Sequence, residues 1–397
     1  MNLAAVRANP TRAPMLPLYA AGFVTAFGAH SIAASLAGYT ETEHASLLAL
    51  GLLLAVYDGA EVLLKPVFGA LADRVGARPV LLGGLAAFAL ASGAFVLAGN
   101  PGLVGLARFG QGAAAAAFSP AAGALVARLT PATGHGRVFG SYGAWKGLGY
   151  TLGPLLGGVL VAVDGYSLLF IALAVLAAVV AIWAALAVPA VPVLPKTRQT
   201  VLDLARRLTS GPFLRPTAAL AGATAALAVG VGFLPALGAR HGLGPLVTGL
   251  VVSLLAATAA LVQPRAGRAR DAGWLRDSTG MAVGLLLAAV GIALGAVVSG
   301  IVGIALAALV IGTGTGLITP LGFAHLASAS PPERLGQTMG AAEVGRELGD
   351  AGGPLLVGAI AAAATLGTGL LTLAAVLTVL ALSITLLRTV VGRAPAR

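Results

Sequence analysis

The sequence predicts an all-α integral membrane protein, with twelve transmembrane helices arranged as two pseudo-symmetric six-helix bundles. Composition is the first observation behind this fold class. Hydrophobic residues make up 58% of the 397-residue chain and charged residues only 9%, and the mean hydropathy is +0.97. This composition supplies too little polar surface to cover a soluble globule of this size. The other two observations are an internal repeat and an uneven distribution of Lys and Arg.

The internal repeat consists of residues 136–158 and 336–358, which follow the same pattern 200 positions apart. Each copy has glycines at matching offsets, a Leu-Gly pair, and the run Gly-Pro-Leu-Leu near its end. Lys146 in the first copy matches Arg346 in the second. A chain that repeats itself halfway is typical of membrane proteins built from two homologous halves.

Twelve apolar runs of about 20 residues, the length that crosses a bilayer as a helix, follow one another along the chain. The predicted spans are 15–38, 45–71, 80–98, 103–128, 137–163, 165–188, 214–238, 244–264, 279–298, 300–328, 334–364 and 366–388. Only Asp164 and Gly165 join the fifth and sixth spans, so a tight turn is predicted there.

Basic residues predict the orientation of these spans. With the N-terminus in the cytoplasm, twenty of the 24 Lys and Arg residues fall on the cytoplasmic side and only Arg240 falls outside. The remaining three, Arg108, Lys146 and Arg346, lie inside spans. This distribution follows the positive-inside rule and places both termini in the cytoplasm. Because one miscounted helix would scramble it, it also supports the count of twelve.

The connection between the sixth and seventh spans is the one long polar stretch inside the chain. It begins with three prolines and includes residues 203–207, Asp-Leu-Ala-Arg-Arg, which have the pattern of a short amphipathic helix on the inner membrane surface. The predicted organisation is therefore a six-helix bundle over 1–188, a cytoplasmic linker over 189–213 and a second six-helix bundle over 214–397.

Three motifs along the chain follow recognisable patterns. The loop after the second span, from Gly69 onward, reads Gly-Ala-Leu-Ala-Asp-Arg-Val-Gly-Ala-Arg. This loop resembles the signature loop of the major facilitator superfamily, although Ala77 stands where the family often has a basic residue. A degraded second copy lies near Asp271. Residues 106–112 resemble the family's fourth-span Arg-x-x-Gln-Gly motif, and residues 149–158 resemble its fifth-span antiporter motif. The resemblance covers the whole chain and implies a transporter.

The signature loop and the fifth span each have a physical rationale. Glycines allow close helix approach, an acid can face the positive N-terminus of a neighbouring helix, and arginines suit the anionic inner leaflet. By resemblance, the loop latches the two halves in the outward-open state; the alternative is a basic loop that only sets topology. The expected gating residues are Gly69, Asp73, Arg74, Gly76 and Arg78. A kink and a smooth packing face are expected in the fifth span from Gly149, Gly153, Pro154, Gly157 and Gly158.

Charged groups inside the predicted spans form the candidate site, because intramembrane charges are costly and tend to be functional. In the second and eleventh spans they recur at helical spacing and share one face. The candidate substrate-binding or proton-coupling residues are Tyr57, Asp58, Glu61, Arg108, Gln111, Trp145, Lys146, Glu343, Arg346, Glu347 and Asp350. The alternative is that these charges, with Lys65, form ion pairs that only hold helices together.

Two of these groups suggest how solute and proton would bind. Glu343 and Glu347 lie four residues apart and repel each other when both are ionised, which favours a proton on one of them. The buried ammonium of Lys146 needs a counter-charge. An anionic or carbonyl-bearing solute would supply it, or else Asp58 or Glu61 would.

These features predict a proton-coupled secondary active transporter that works by alternating access and exports small organic molecules. By resemblance, the antiporter-type motif and Arg108 favour export. The alternative is an exchanger or symporter of an anionic metabolite that uses Lys146, Arg346 and Arg108. The expected partners are a small-molecule substrate, protons as the coupling ion and the lipid bilayer. A monomer in the bacterial inner membrane is expected.

Other function classes are disfavoured, and neither a metal nor another cofactor is predicted. The chain has no Cys, and His30 and His325 stand alone, so both are expected to be packing residues. The net charge of +11 reflects the topology signals rather than nucleic acid binding. An enzyme is disfavoured because the predicted outer loops are short, with Glu41, Glu43 and His44 as their one concentrated polar group. The chain contains no P-loop for ATP.

Overall fold

The computed structural model of the protein describes residues 14–42, 47–98, 100–195, 201–298 and 300–391, and within these ranges it contains helices and no strand. The helices are α1 (Met15–Thr42), α2 (Leu47–Val75), α3 (Ala77–Ala94), α4 (Pro101–Arg128), α5 (His135–Ala187), α6 (Val201–Leu208), α7 (Gly211–Arg240), α8 (Pro245–Asp271), α9 (Asp277–Val297), α10 (Gly300–Ala329), α11 (Leu335–Ala363) and α12 (Leu366–Val391). Several predicted features lie outside the described residues. They are the N-terminal tail, the end of the C-terminal tail, residues 196–200 of the linker, and Glu43 with His44.

The helix bounds follow the predicted spans to within about four residues, except that α8 continues to Asp271, seven residues beyond the predicted end at 264. Helix α5 contains both the fifth and the sixth span, and its backbone leaves helical geometry at Asp164 (φ −151°, ψ 36°) and Gly165 (φ 69°, ψ −170°). The predicted turn between these spans lies at those two residues, and glycine accepts the positive φ without strain. Helix α6 is the short helix predicted in the linker.

The described helices have the character of membrane spans. Eight helical segments are long and apolar enough to cross a membrane, and the longest, Ala132–Ala187, contains the interruption in α5. Helices α2, α4 and α11, which carry the buried charges described below, are not among the eight. The all-helical, multi-pass membrane architecture is therefore confirmed, whereas the count of twelve spans and the location of the termini stay predictions.

The chain divides into two compact units. The first comprises α1–α4, the part of α5 from Leu148 onward and residues 330–341. The second comprises α6–α10, α12, residues 136–147 of α5, and α11 from Ala342 onward. The first copy of the repeat therefore begins in the second unit, and the second copy begins in the first unit.

In the first unit, α4 packs against α2 and α3, and α1 packs against α5. The aromatic rings of Phe95 and Phe170 stack with their centroids 4.3 Å apart in a buried cluster. On α1, His30 meets the expectation of a packing residue. Its Nδ1 lies 2.9 Å from the carbonyl oxygen of Ala26, and its ring meets Tyr150 edge-on at 4.3 Å.

In the second unit, α10 is surrounded by α7, α8 and α9, and α12 packs on α9. Helices α9 and α10 meet backbone to backbone, since a Cβ on Gly284 would lie 2.7 Å from the carbonyl oxygen of Gly314. Small residues permit such approaches in membranes, where close packing replaces the hydrophobic force between helices.

The fifth-span motif packs α5 onto α1. A Cβ on Gly149 would lie 2.7 Å from the carbonyl oxygen of Phe23, and a Cβ on Gly157 would lie 2.7 Å from the Cβ of Ser31. Gly158 does not contribute to this face, because a Cβ there would meet no described atom within 4 Å. The predicted smooth packing face therefore includes Gly149 and Gly157 but not Gly158.

The second copy of the repeat packs α11 onto α7 through glycines in the same way. A Cβ on Gly349 would overlap the carbonyl oxygen of Ala221 on α7, and one on Gly353 would lie 2.8 Å from Ala225. Residues 141–150 and 341–350 also share the same pattern of burial position by position. The two halves therefore bury equivalent faces of α5 and α11.

We expect Gly149→Ala to destabilise the protein and Gly158→Ala to leave its stability nearly unchanged. The methyl group at position 149 enters a contact that is already closed by α1, whereas the one at 158 enters open space. Overpacking of this kind costs roughly 1–3 kcal/mol. Thermal unfolding of the two purified variants in one detergent is the measurement, and equal melting temperatures would contradict the role of this face.

Candidate functional site

Asp73, near the end of α2, caps the N-terminus of α11. The backbone N–H of Gly336 donates to Asp73 Oδ1 at 2.7 Å, and the N–H of Gln337 donates to Oδ2 at 2.8 Å. N–H groups at a helix start have no partner inside the helix, and a carboxylate there also meets the positive end of the helix dipole. Asp73 thus makes the contact with a helix start that its position in the motif predicts.

Glycine on both helices makes this cap possible. A Cβ on Gly69 would overlap the carbonyl oxygen of Gly336, and a Cβ on Gly336 would overlap the carbonyl oxygen of Gly69. One turn further along, a Cβ on Gly340 would lie 2.5 Å from the carbonyl oxygen of Lys65. The carboxylate reaches the helix start because no side chain separates the two backbones.

The other residues of the predicted gating loop serve its geometry. Gly76 has a φ of 102°, in the left-handed region that favours glycine, and it joins α2 to α3. Arg78 donates from Nη2 to the carbonyl oxygen of Ala185 at 2.6 Å, and Arg74 is exposed. The loop therefore combines a reversal, a helix cap and a link from α3 to the end of α5.

Asp271, at the end of α8, makes an equivalent cap at the start of α5. The N–H of Gly136 donates to Oδ1 at 2.8 Å and the N–H of Arg137 donates to Oδ2 at 2.7 Å. A Cβ on Gly136 would overlap the carbonyl oxygen of Gly267. The degraded second copy of the motif thus retains the acid and the glycine that the cap requires.

A polar network that the sequence did not predict adjoins this second cap. Arg270 Nη1 lies 3.4 Å from Asp271 Oδ1, and Arg270 Nε lies 2.9 Å from Asp277 Oδ1. His325 Nδ1 lies 3.0 Å from Asp277 Oδ2. The expectation that His325 is only a packing residue is therefore corrected. Helix α10 brings it beside the start of α9, a contact between residues that are distant in the sequence.

The buried charges of α2 and α4 form one group in the first unit. Lys65 is fully buried, and its Nζ lies 3.3 Å from Glu61 Oε1 on the next turn of the helix. The guanidinium of Arg108 lies 4.1 Å above the ring of Tyr57, a cation–π arrangement. Arg108 is also attracted by the charges of Asp58 and Glu61. In this group Lys65 pairs with Glu61 and Arg108 lies on Tyr57, whereas Asp58 is exposed.

Gln111 extends this group towards α3. It is fully buried, donates from Nε2 to Ser92 Oγ at 2.8 Å, and accepts a longer bond of 3.5 Å from Arg108 Nη1. Both ends of its amide are therefore occupied, and α3 and α4 are joined by a polar contact inside an apolar region.

The second unit contains a buried triad of Lys146, Glu343 and Arg346. Lys146 Nζ lies 3.0 Å from Glu343 Oε2 and 3.3 Å from Oε1, and Arg346 Nη1 lies 3.2 Å from Oε2. The three residues are between 3% and 6% exposed. The counter-charge expected for Lys146 is thus Glu343, which is supplied by α11 rather than by α2.

The surroundings of the triad hold Arg346 in place. Thr224 on α7 donates from Oγ1 to the carbonyl oxygen of Arg346 at 2.7 Å. The ring of Phe323 lies 5.8 Å from the guanidinium carbon, and it stacks on Phe139 with centroids 5.7 Å apart. The triad therefore has packed walls from α5, α7 and α10.

The remaining predicted residues of the fifth and eleventh spans are less buried than the triad. Trp145, Glu347 and Asp350 are each half-buried. The described contacts thus join Lys146, Glu343 and Arg346, whereas they place Tyr57, Arg108 and Gln111 together in the first unit.

The triad has an electrostatic property that suits a coupled reaction. With Glu343 ionised, its three members carry a net charge of +1, and a single carboxylate contacts both neighbouring cations. Burying ions is costly, and a buried ion whose partner is removed costs about 3–5 kcal/mol. Adding a proton to Glu343 therefore changes the free energy of both contacts at once.

Sequence reasoning missed Gln263, a buried residue of α8. Its amide lies against Gly143 and Gly147 on the helix that carries Lys146. A signal was present, since Lys65-Pro66 precedes Asp73 by the same spacing as Gln263-Pro264 precedes Asp271. Gln263 therefore occupies the place of Lys65 in the second half. Among the described residues, no group of three or more His, Asp or Glu side chains is placed to hold a metal.

A family model described as the Major Facilitator Superfamily matches residues 18–272, which is more than half of the chain. The chain belongs to this superfamily. The resemblance indicated by the motifs is thereby confirmed. Members of the major facilitator superfamily are membrane transporters rather than enzymes, as the sequence predicts.

Bacterial resistance proteins are similar to part of the chain. The class H tetracycline resistance protein of Pasteurella multocida is 32% identical over 116 residues, 29% of this chain and 29% of that protein. The class C protein of Escherichia coli is 38% identical over 128 residues, 32% and 31% of the two chains. The quinolone resistance protein NorA of Staphylococcus aureus is 30% identical over 115 residues, 29% and 30%. Each match spans less than a third of the relative's length.

Two solved transporters of low sequence identity share the fold. The human organic anion transporter MFSD10 aligns with a TM-score of 0.80 at 18% identity, over 94% of this chain and 99% of that one. The fucose:proton symporter FucP of Escherichia coli aligns with a TM-score of 0.77 at 15% identity, over 94% and 98%. At these identities the likeness concerns the fold alone.

We expect Asp73→Asn and Asp271→Asn to slow transport several-fold while the protein stays folded and binds its ligand. Asparagine keeps one acceptor oxygen but loses the charge at the helix start, so each cap weakens by about 1 kcal/mol. Initial transport rates in proteoliposomes, with ligand binding measured in parallel, are the test. Asp203→Asn on the exposed side of α6 is the matched control. Wild-type rates in both cap variants would show that the caps have no part in cycling.

Proposed function

We propose that this chain is a proton-coupled secondary transporter that exports small organic molecules by alternating access. Family membership supports transport, and the tetracycline and quinolone resistance proteins among its relatives support export. The observation that carries the proposal is the Glu343 carboxylate, buried between Lys146 and Arg346.

Glu343 is the proton-binding group in this mechanism. When ionised, it attracts Lys146 of α5 and Arg346 of its own helix. When a proton binds, the carboxyl group becomes neutral and both attractions are lost. Two buried cations are then left without their shared counter-ion, which favours separation of the groups or the arrival of another acceptor.

The two aspartate caps connect this charge change to conformational cycling. Asp271 holds the start of α5 at Gly136, ten residues before Lys146 in the same helix, and Asp73 holds the start of α11. In the proposed cycle the caps form in one state and break in the other. Each cap is made by a half-buried aspartate and is of modest strength, as a reversible latch requires.

The topology proposed for this transporter has twelve spans, with both termini in the cytoplasm. Its two repeat halves, residues 1–188 and 214–397, are joined by the linker 189–213. The bacterial inner membrane and a monomeric state are part of the same proposal. The membrane location is supported by the positive-inside distribution and by the bacterial relatives, and the monomeric state is the expectation for the family.

We expect Glu343→Gln to lower the rate of solute-triggered proton movement at least about tenfold, because the amide keeps the side chain's shape but does not ionise. Purified protein is placed in liposomes that contain a pH-sensitive dye, and tetracycline or norfloxacin is added outside. Glu333→Gln is the matched control, since Glu333 lies before α11 and outside the triad. A Glu343→Gln protein that moves protons at the wild-type rate would remove Glu343 from the coupling step.

The second candidate function is an exchanger or symporter of an anionic metabolite. The observation that favours it is the position of two buried cations, Lys146 and Arg346, within contact of the same carboxylate. An anionic solute would replace Glu343 as their partner once that residue is protonated. Arg108, the third cation of this hypothesis, is held against Tyr57 in the first unit.

We expect Lys146→Met to distinguish the two candidates when lipophilic cations and organic anions are compared in the same liposomes. If the physiological solute is an anion, only anions trigger proton movement and the variant loses their transport by at least about tenfold, as expected for removal of one partner of a buried charge pair. Transport of cations that persists in Lys146→Met supports drug export and contradicts the metabolite alternative.

A further inference from the structure

Gln263 is a buried glutamine whose side-chain oxygen lacks a hydrogen bond. The residue is 6% exposed, and its Oε1 has no partner among the described residues. Gln111, the buried glutamine of the first unit, differs in this respect because both ends of its amide are bonded. An enclosed amide oxygen without a donor costs free energy, and an apolar side chain of similar size would avoid that cost.

The surroundings of Gln263 place its amide against the helix that carries Lys146. A Cβ on Gly143 would overlap Oε1, and a Cβ on Gly147 would lie 3.8 Å from Nε2. Gly143, Lys146 and Gly147 are three and four residues apart and so share one face of α5. The amide therefore lies along the helix face that presents Lys146 to Glu343.

Comparison of the two repeats shows that Gln263 has no ion-pairing role. Its counterpart in the first half, Lys65, is paired with Glu61. The position equivalent to Glu61 in the second half is Ala259, a buried apolar residue. The second half has thus lost the acid and the base together, while a polar group has been kept at the site of the base.

We propose that Gln263 is a solute-binding residue, whose amide oxygen accepts a hydrogen bond from an N–H or O–H group of the transported molecule. The inference rests on the proposed transport function and specifies its solute class. The triad cations suit a carbonyl or carboxylate, and Gln263 suits a donor at another position on the same molecule. The expected solutes are therefore organic molecules that carry both a hydroxyl or amino group and a carbonyl or carboxylate group.

The first test measures stability without any solute. Gln263→Leu and Gln263→Met remove the unpartnered oxygen, and both are expected to unfold at or above the wild-type temperature in detergent. Gln111→Leu is the matched control and is expected to unfold at a lower temperature, because it breaks the bond to Ser92. If the two Gln263 variants are destabilised as strongly as Gln111→Leu, Gln263 is a structural residue and the proposal is wrong.

The second test measures binding of two probes that differ by one hydroxyl group, 4-hydroxybenzoate and benzoate. Binding is followed in detergent without a pH gradient, so a failure of proton coupling does not affect the result. In Gln263→Met, binding of 4-hydroxybenzoate is expected to weaken about tenfold, whereas binding of benzoate changes less than about twofold. Equal losses of binding for both probes in Gln263→Met would overturn the assignment. A wild-type protein that binds 4-hydroxybenzoate and benzoate equally well would also overturn it.

Discussion

A charge buried among membrane helices must be neutralised by a neighbour, and this constraint organises the polar interior of both units. In the second unit Glu343 contacts Lys146 and Arg346 together, so one carboxylate ties α5 to α11. In the first unit Lys65 has Glu61 one turn away, and Arg108 lies on the face of Tyr57. Groups that neutralise each other within a low-dielectric region respond together when one of them gains a proton. This shared response is what makes the triad suitable for coupling.

Close approach of helix backbones is the second condition on which the site depends. Asp73 and Asp271 reach the N–H groups of α11 and α5 because glycines on both sides leave room for the carboxylates. The same principle holds α5 against α1 and α11 against α7. Glycine is costly in a helix, but in a membrane it permits the packing that replaces the hydrophobic force. The repeat therefore preserves contact geometry more strictly than it preserves side-chain chemistry.

The two halves differ where chemistry is concerned. The first has a lysine and an acid at the positions where the second has Gln263 and an alanine. The second instead carries a network of Arg270, Asp277 and His325 beside its aspartate cap. In the function proposed above, equivalent scaffolds with different polar groups let the first half provide structural pairing while the second provides a binding surface.

The sequence by itself determined the membrane-helical fold, the repeat, the break at Asp164–Gly165 and the contact of Asp73 with a helix start. These properties depend on local composition, on periodicity and on spacing along one helix, and all of these can be seen in the chain. Helical spacing likewise predicted the Lys65–Glu61 pair. Only the tertiary structure decided that Lys146 is neutralised by Glu343, that His325 faces Asp277 and that the Gln263 oxygen lacks a donor. Those facts depend on which faces of helices distant in sequence meet, and spacing within one helix carries no information about its neighbour.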